Sequence, residues 1–295
     1  MNNYLSVWKY SMSFSGKNVN VTFSSLLLII VFSLVLSESA VAEDIVQVGG
    51  TGTGTLLIQR VRESYVKLHP GVQVKTILPP MGSNGSLRAL AASSIQIAIV
   101  TFPTLYPAKP EDAQDNNIIP WARTPLIFTG RDIVSGTKLT LGQVSDIYSG
   151  RLTQWPDGKP VRLISRSERE SDTRILRAIS PKMDEAVMAS IGRVGMPFAE
   201  NDLDNQQLLE RTPGSFGAIG LGQLLLLGSP LKPVNLDGII SSVEEMQKGD
   251  YRIEKPLYLV TNKSPSQATM EFIRYLQSPE VVKMIRRFGF IPVPR

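Results

Sequence analysis

An α/β fold with parallel strands is predicted here by three observations. Strand-like and helix-like periods alternate between Ile45 and Val100, glycine- or serine-rich turns stand where strands pass into helices, and helix caps recur down the chain. Ile45–Val48 reads as a strand, and the Gly/Thr loop Gly50–Thr55 (GTGTGT) follows it. Leu57, Val61, Tyr65 and Leu68 then recur at helical spacing, with Arg60, Glu63 and Lys67 elsewhere on the wheel. His69-Pro70-Gly71 stops this helix. Val72, Val74 and Thr76 alternate with Gln73 and Lys75 as a strand, GSNGSLRALAAS turns into a second helix, and Ile95–Val100 is an apolar strand. Strand-helix-strand-helix-strand in one stretch implies a parallel sheet with right-handed crossovers.

The middle of the chain is less regular. Ile127-Phe128 and the Asp132-Ile133-Val134 region precede LTLGQVSDIYSG, a short helix with Thr140 as cap and Gly150 as stop. Trp155-Pro156-Asp157-Gly158 is a turn, Val161–Ile164 a strand, SRSERESDTRILRAI a turn into a helix, and Gly217–Ile219 a strand ending in glycine. Near the end, Ser266 opens a helix carrying Met270, Ile273 and Leu276. Ser278-Pro279-Glu280 opens another, continued by Ile285 and Phe288 and ended by Gly289. These last two helices are packing elements to which no chemistry is assigned.

Val21–Leu36 is a largely apolar run without a charge, preceded by Lys9 and Lys17 and followed by Ala40-Val41-Ala42. That is the pattern of a secretory signal peptide over residues 1–42, with cleavage before Glu43. An uncleaved anchor is the alternative, but the run is short and serine-bearing against the ~20 apolar residues of a span. Met12 is an alternative start. Lys and Arg number 31 against 26 Asp and Glu, a net charge of +5, and the basic residues are scattered. This tolerates anions and gives little support to a nucleic-acid partner. With no cysteine in the chain, thiolate metal sites and attachment through an N-terminal cysteine are excluded. An exported chain also meets little ATP or NAD.

Three turns share one design: Gly50–Thr55, Gly82–Ser86, and Glu170–Thr173 with Arg166 just upstream. Each leads into a helix, whose first N–H groups lack partners and carry partial positive charge. A hydrogen bond to a charged acceptor contributes roughly 1.5–3 kcal/mol. Micromolar affinity needs only about 8 kcal/mol, so several such donors hold a small oxyanion without metal or cofactor. The plainer reading makes each Ser or Thr a cap and Arg166 an ion-pair partner of Glu168 or Glu170. Nucleotide loops fail on spacing: Gly54 is followed by Thr55-Leu56 where a phosphate-binding loop needs Lys, and Thr55 stands where a dinucleotide fingerprint needs glycine. There is no G-x-S-x-G, and the single histidine, His69, lies in a turn, so no catalytic residue is assigned.

The segments GGTGTGT, MGSNGSLRALAASSIQIAIVTFP, LTLGQVSDIYSGRLTQW, RSERESDTR, RTPGSFGAIG and YRIEKPLYLVTNKS running into LQSPEVVKMIRRFGFIPV together resemble the periplasmic phosphate-binding proteins of ABC importers, within the type II periplasmic binding superfamily. The resemblance implies two α/β lobes joined by two crossing segments: lobe one is 43–121 plus 253–295, lobe two is 122–252. It implies a monomer in the periplasm that clasps a small oxyanion, phosphate first, and hands it to an inner-membrane ABC permease. Carried over by position, the ligand donors are Thr53, Gly54, Thr55, Ser83, Arg166, Ser171 and Thr173. Two departures stand out. Thr101 occupies the position where phosphate binders commonly carry an Asp, and Glu170 and Asp172 replace glycines around the Ser171/Thr173 pair. Arg169 and Arg174 are available to neutralise those acids. The departures favour an alternative, a degenerate-cleft sensor or interaction protein on the same fold. An exported hydrolase is a remote third.

Overall fold

The computed structural model of the chain describes residues 11–14, 17–20, 44–102 and 116–294. The apolar run 21–36 and the cleavage motif at 40–42 lie outside the described residues. The chain divides into Met1–Glu43 and Asp44–Arg295. Within the first unit, β1 (Ser11–Phe14) and β2 (Lys17–Asn20) pair antiparallel. Everything that follows concerns the second.

β3 (Asp44–Gly50), α1 (Gly52–Leu68), β4 (Val72–Thr76), α2 (Gly82–Ala91) and β5 (Ile97–Val100) realise the expected alternation. β3 lies between β4 and β5 and is parallel to both, with Val46 opposite Val74 and Gly50 opposite Ile99. One expectation is corrected. The Gly/Thr run is not a loop ahead of the helix but its first turn, because Thr51 is the N-cap and its Oγ1 accepts from Gly54 N–H at 3.2 Å. The glycines let that turn lie against the sheet, since a Cβ on Gly54 would come within 2.5 Å of Ile99 Cγ2.

The chain continues through β6 (Asn116–Thr129), β7 (Lys138–Leu139), α3 (Leu141–Ser149), β8 (Arg162–Leu163), β9 (Ser165–Arg166), α4 (Ser171–Arg177) and α5 (Pro181–Ile191). After β10 (Phe198–Ala199) come α6 (Asp202–Arg211), β11 (Ser215–Gly220), α7 (Leu221–Leu227), β12 (Asn235–Leu236) and α8 (Val243–Lys248). β13 (Glu254–Asn262), α9 (Gln267–Leu276), α10 (Pro279–Arg286) and β14 (Ile291–Pro292) complete it. α3 has the expected ends: Thr140 and Gln143 form a capping box, and Gly150 closes it at φ 80°. His69 caps α1 at its C-terminus and stacks on Tyr65 at 4.3 Å.

The main sheet runs β4-β3-β5-β13-β6-β11-β8, with β14 also on β6. It is mixed: β13 is antiparallel to both β5 and β6, and β11 is antiparallel to β6 but parallel to β8. Two large apolar clusters flank the long β6 strand. Val46, Leu57, Tyr65, Trp121, Leu259 and Phe272 belong to one, and Leu126, Phe128, Val144, Met183, Phe216 and Tyr251 to the other. β6 therefore passes from one core to the other between Ala122 and Leu126. At that point Thr124 is paired in register with Lys255 of β13. The candidate site is built around this crossing.

Candidate functional site

From the first core, the N-terminus of α1 presents Thr53. Its backbone N–H donates to Asp202 Oδ2 at 3.0 Å, and its hydroxyl lies 3.2 Å from the same oxygen and 2.9 Å from Gln223 Oε1. Gln223 is held in turn, its amide donating to Asp202 O and Gln206 Oε1. The start of α2 brings Ser83, whose Oγ accepts from Thr101 N–H at 3.1 Å and lies 2.9 Å from Ser171 Oγ. In the Ser83–Ser171 contact either hydroxyl can be the donor. Gly82, at φ +66°, shapes the entry to this turn, and Glu170 stands opposite it.

From the second core, short β9 delivers Arg166, only 7% exposed. Its Nη2 donates to Glu170 Oε2 at 2.7 Å, and its Nη1 lies 3.1 Å from Asp172 Oδ2 and 3.0 Å from Asp202 Oδ1. Lys255 completes the cluster. It is fully buried, with Nζ 2.7 Å from Asp172 Oδ1 and 2.9 Å from Asp202 Oδ2. Lysine is almost never buried without a partner, and here two carboxylates supply that partnership.

Two cations thus face three carboxylates in a largely buried site, with Glu170 at its partly exposed edge, and their protonation follows from burial set against pairing. Burial alone would raise the Asp202 carboxyl, but Lys255 and Arg166 outweigh it and hold Asp202 far below the usual carboxylate range. Burial would lower Lys255 and Arg166, yet their carboxylate neighbours push both upward, so both stay charged. Burial raises Asp172 against the pull of Lys255, and burial raises Glu170 against the pull of Arg166. Asp202 is the committed anion of the cluster; Asp172 and Glu170 are the groups readiest to take a proton.

The donors expected from sequence are therefore gathered unevenly. Thr53, Ser83, Arg166 and Ser171 come together across the two cores. Gly54 N–H is taken by the Thr51 cap, and Thr55 N–H bonds Thr51 O at 2.8 Å. The hydroxyls of Thr55 and Thr101 are buried without a hydrogen-bond partner. Thr173 is buried and lines a cavity of about 20 Å3 beside Arg166, Tyr148 and Asn205, a volume on the scale of one water. Glu170 pairs with Arg166, and Asp172 with Arg166 and Lys255; Arg169 is exposed, and Arg174 lies 3.8 Å over the Phe102 ring. The Arg166–Glu170 pair does form, with Arg166 buried and Glu170 partly exposed. Asp202, Lys255 and Gln223 were not singled out by sequence. Asp202 reads as an ordinary first-turn acid after the Asn201 cap, and Lys255 stands beside Pro256 in a stretch to which sequence assigned no element. Among the described residues no group of His, Cys, Asp or Glu could hold a metal.

Against known proteins, the model of the PBP superfamily domain matches residues 37–280. The chain belongs to that superfamily. A curated relative, phosphate-binding protein PstS 2 of Streptococcus agalactiae, is 32% identical over 77 residues, a match spanning 26% of this chain and 26% of the relative. Among solved structures, a Clostridium perfringens protein described as a phosphate ABC transporter substrate-binding protein, with bound phosphate, superposes with TM-score 0.71 at 17% identity, covering 85% of this chain and all of its own. An ABC-type phosphate transport receptor from Vibrio cholerae gives TM-score 0.60 at 18% identity over 84% of this chain and all of its own. These likenesses place the fold.

Proposed function

We propose that this chain is a periplasmic solute receptor that clasps a small oxyanion, phosphate first, between lobes 43–121 plus 253–295 and 122–252, and passes it to an ABC permease. The observation that supports this reading most is convergence. Thr53 from one core and Arg166 from the other meet on a single carboxylate, Asp202, at 3.0–3.2 Å. A negative group is what these donors are arranged to hold, and the phosphate-binding relatives supply the candidate solute. Closure would select a ligand because both halves must contact it. The chemistry needed is hydrogen bonding and charge alone; no residue in the cluster is asked to make or break a covalent bond.

A thermal-shift panel of phosphate, sulfate, molybdate and tungstate tests the reading. A ligand at a hundred times its Kd adds ~2.7 kcal/mol of stability. At roughly 2–4 °C per kcal/mol for a domain of this size, phosphate at millimolar concentration is expected to raise Tm by several degrees. A second reading, a sensor or interaction protein with a degenerate cleft, is favoured by the three carboxylates gathered where an anion would sit. No shift with any of the four oxyanions would select it.

A further inference from the structure

The place where donors from the two cores meet is filled by a group of the protein itself. Asp202 Oδ2 receives Thr53 N–H at 3.0 Å and Lys255 Nζ at 2.9 Å, while Oδ1 receives Arg166 Nη1 at 3.0 Å; the Thr53 hydroxyl lies 3.2 Å from Oδ2, but its single proton has Gln223 Oε1 at 2.9 Å as the nearer acceptor. Three donors, two of them charged, around one small anionic group is the kind of coordination a bound oxyanion would have. The local structure is built to allow it. Asn201 takes over the capping of α6, accepting from Leu203 and Asp204 N–H, so the Asp202 side chain is released from that duty. Gly52 then lets it approach, for a Cβ there would stand 2.5 Å from Asp202 Cβ and 3.3 Å from its Oδ2.

We propose that Asp202 is a tethered internal anion that holds the cleft shut without solute, so that an incoming oxyanion binds only by displacing it. Asp202, in the 122–252 stretch, reaches Thr53 in the 43–121 stretch, so its carboxylate replaces the solute as the bridge. The charge inventory agrees. Arg166 and Lys255 bring two positive charges, and Glu170, Asp172 and Asp202 bring three carboxyl groups. The closed cluster has no positive surplus for a second anion. Withdrawing Asp202 leaves two cations balanced by two carboxyls around the Thr53 donor, so an incoming oxyanion takes over the place and partners of the carboxylate it displaces instead of being added beside it. Asp202 thereby sets an affinity threshold, giving a receptor that answers only at high solute concentration. The displacement rests on the oxyanion reading proposed above; the self-closure does not.

Asp202→Asn keeps size and one acceptor while removing the charge, and it leaves a balanced cluster. Gly52→Ala expels Asp202 by contact without altering any charge, and serves if Asp202→Asn fails to fold by circular dichroism. Small-angle scattering in phosphate-free buffer is expected to give wild-type protein the radius of gyration of the closed arrangement, unchanged by phosphate. Both variants are expected to give a larger radius that returns to the closed value on adding inorganic phosphate. Calorimetric titration is expected to show Asp202→Asn binding phosphate at least about tenfold tighter than wild type, the equivalent of 1.4 kcal/mol. An open wild type in phosphate-free buffer, or folded variants with wild-type radius, would overturn the proposal. Variants that open but never bind phosphate would leave self-closure standing and remove the oxyanion reading instead.

Discussion

Lys255 Nζ has no water to fall back on, and its two partners, Asp172 and Asp202, are buried as well. Replacing one member of a buried ionic cluster leaves the opposite charges uncompensated, which typically costs 3–5 kcal/mol. Lys255→Met, similar in length but neutral, is expected to lower stability by about that amount, read from the urea midpoint at constant slope. Unchanged stability would show that the cluster sheds charge by taking up protons. The pH dependence follows from the same residues. Asp202 is depressed, so its stabilisation is full above the unfolded carboxylate value of about 4 and is lost as pH falls below it. Asp172 and Glu170 are raised, so their ionisation opposes folding at neutral pH, and that opposition is relieved as they protonate on mild acidification. Stability is therefore expected to hold or rise from neutral pH to about 5, then fall below about 4. Asp202→Asn should flatten the acid limb in a denaturation series. Arg166, Ser83 and Thr53 were legible in the sequence because each sits in or beside a turn whose geometry advertises free donors. Asp202 and Lys255 were not, because their local settings are those of exposed residues; only packing against a distant element buries them.

Between residues and fold stand the helix starts, where sequence was most readable. The boundaries of α3, α9 and α10 lie where Thr140, Ser266 and Ser278 place them, since each hydroxyl accepts from the N–H three residues on. Thr140→Ala removes the bond that its hydroxyl accepts from Gln143 N–H, leaves the backbone half of the capping box in place, and is expected to cost about 1 kcal/mol in thermal unfolding. The start of α1 was misjudged because glycine has a poor helix propensity. Thr51 capping and contact with β5 override it. That gives an unusual sign. Gly→Ala within a helix ordinarily gains up to about 1 kcal/mol. At Gly54 the new methyl would meet Ile99 Cγ2 at 2.5 Å, and overpacking of a tight interior costs about 1–3 kcal/mol. Gly54→Ala is expected to lower Tm, and a rise would show that Ile99 can yield. β13 went unassigned because Lys255 and Pro256 interrupt its apolar pattern, although it is the strand that carries Lys255 to the site.

At the scale of the Asp44–Arg295 unit, two large and two smaller apolar clusters pack on one mixed sheet, and the polar cluster lies where β6 passes from one large cluster to the other. The parallel β3–β4–β5 portion was readable from periodicity alone. The antiparallel return of β13 between β5 and β6 joins residues more than a hundred positions apart, and no local pattern encodes such a pairing. The absence of cysteine in the sequence makes the cleft directly measurable, because two introduced cysteines are the sole labelling sites. Arg88, on the helix that opens with Ser83, and Arg169, just ahead of Ser171, are both exposed. Spin labels at these positions report the distance between the two halves near the Ser83–Ser171 contact. In phosphate-free buffer the labelled wild type is expected to show one short, narrow distance, and the same pair carrying Asp202→Asn a longer, broader one that phosphate shortens. A long distance in the wild type without solute, or one indifferent to both Asp202 and phosphate, would contradict the convergence of two halves on a single negative group.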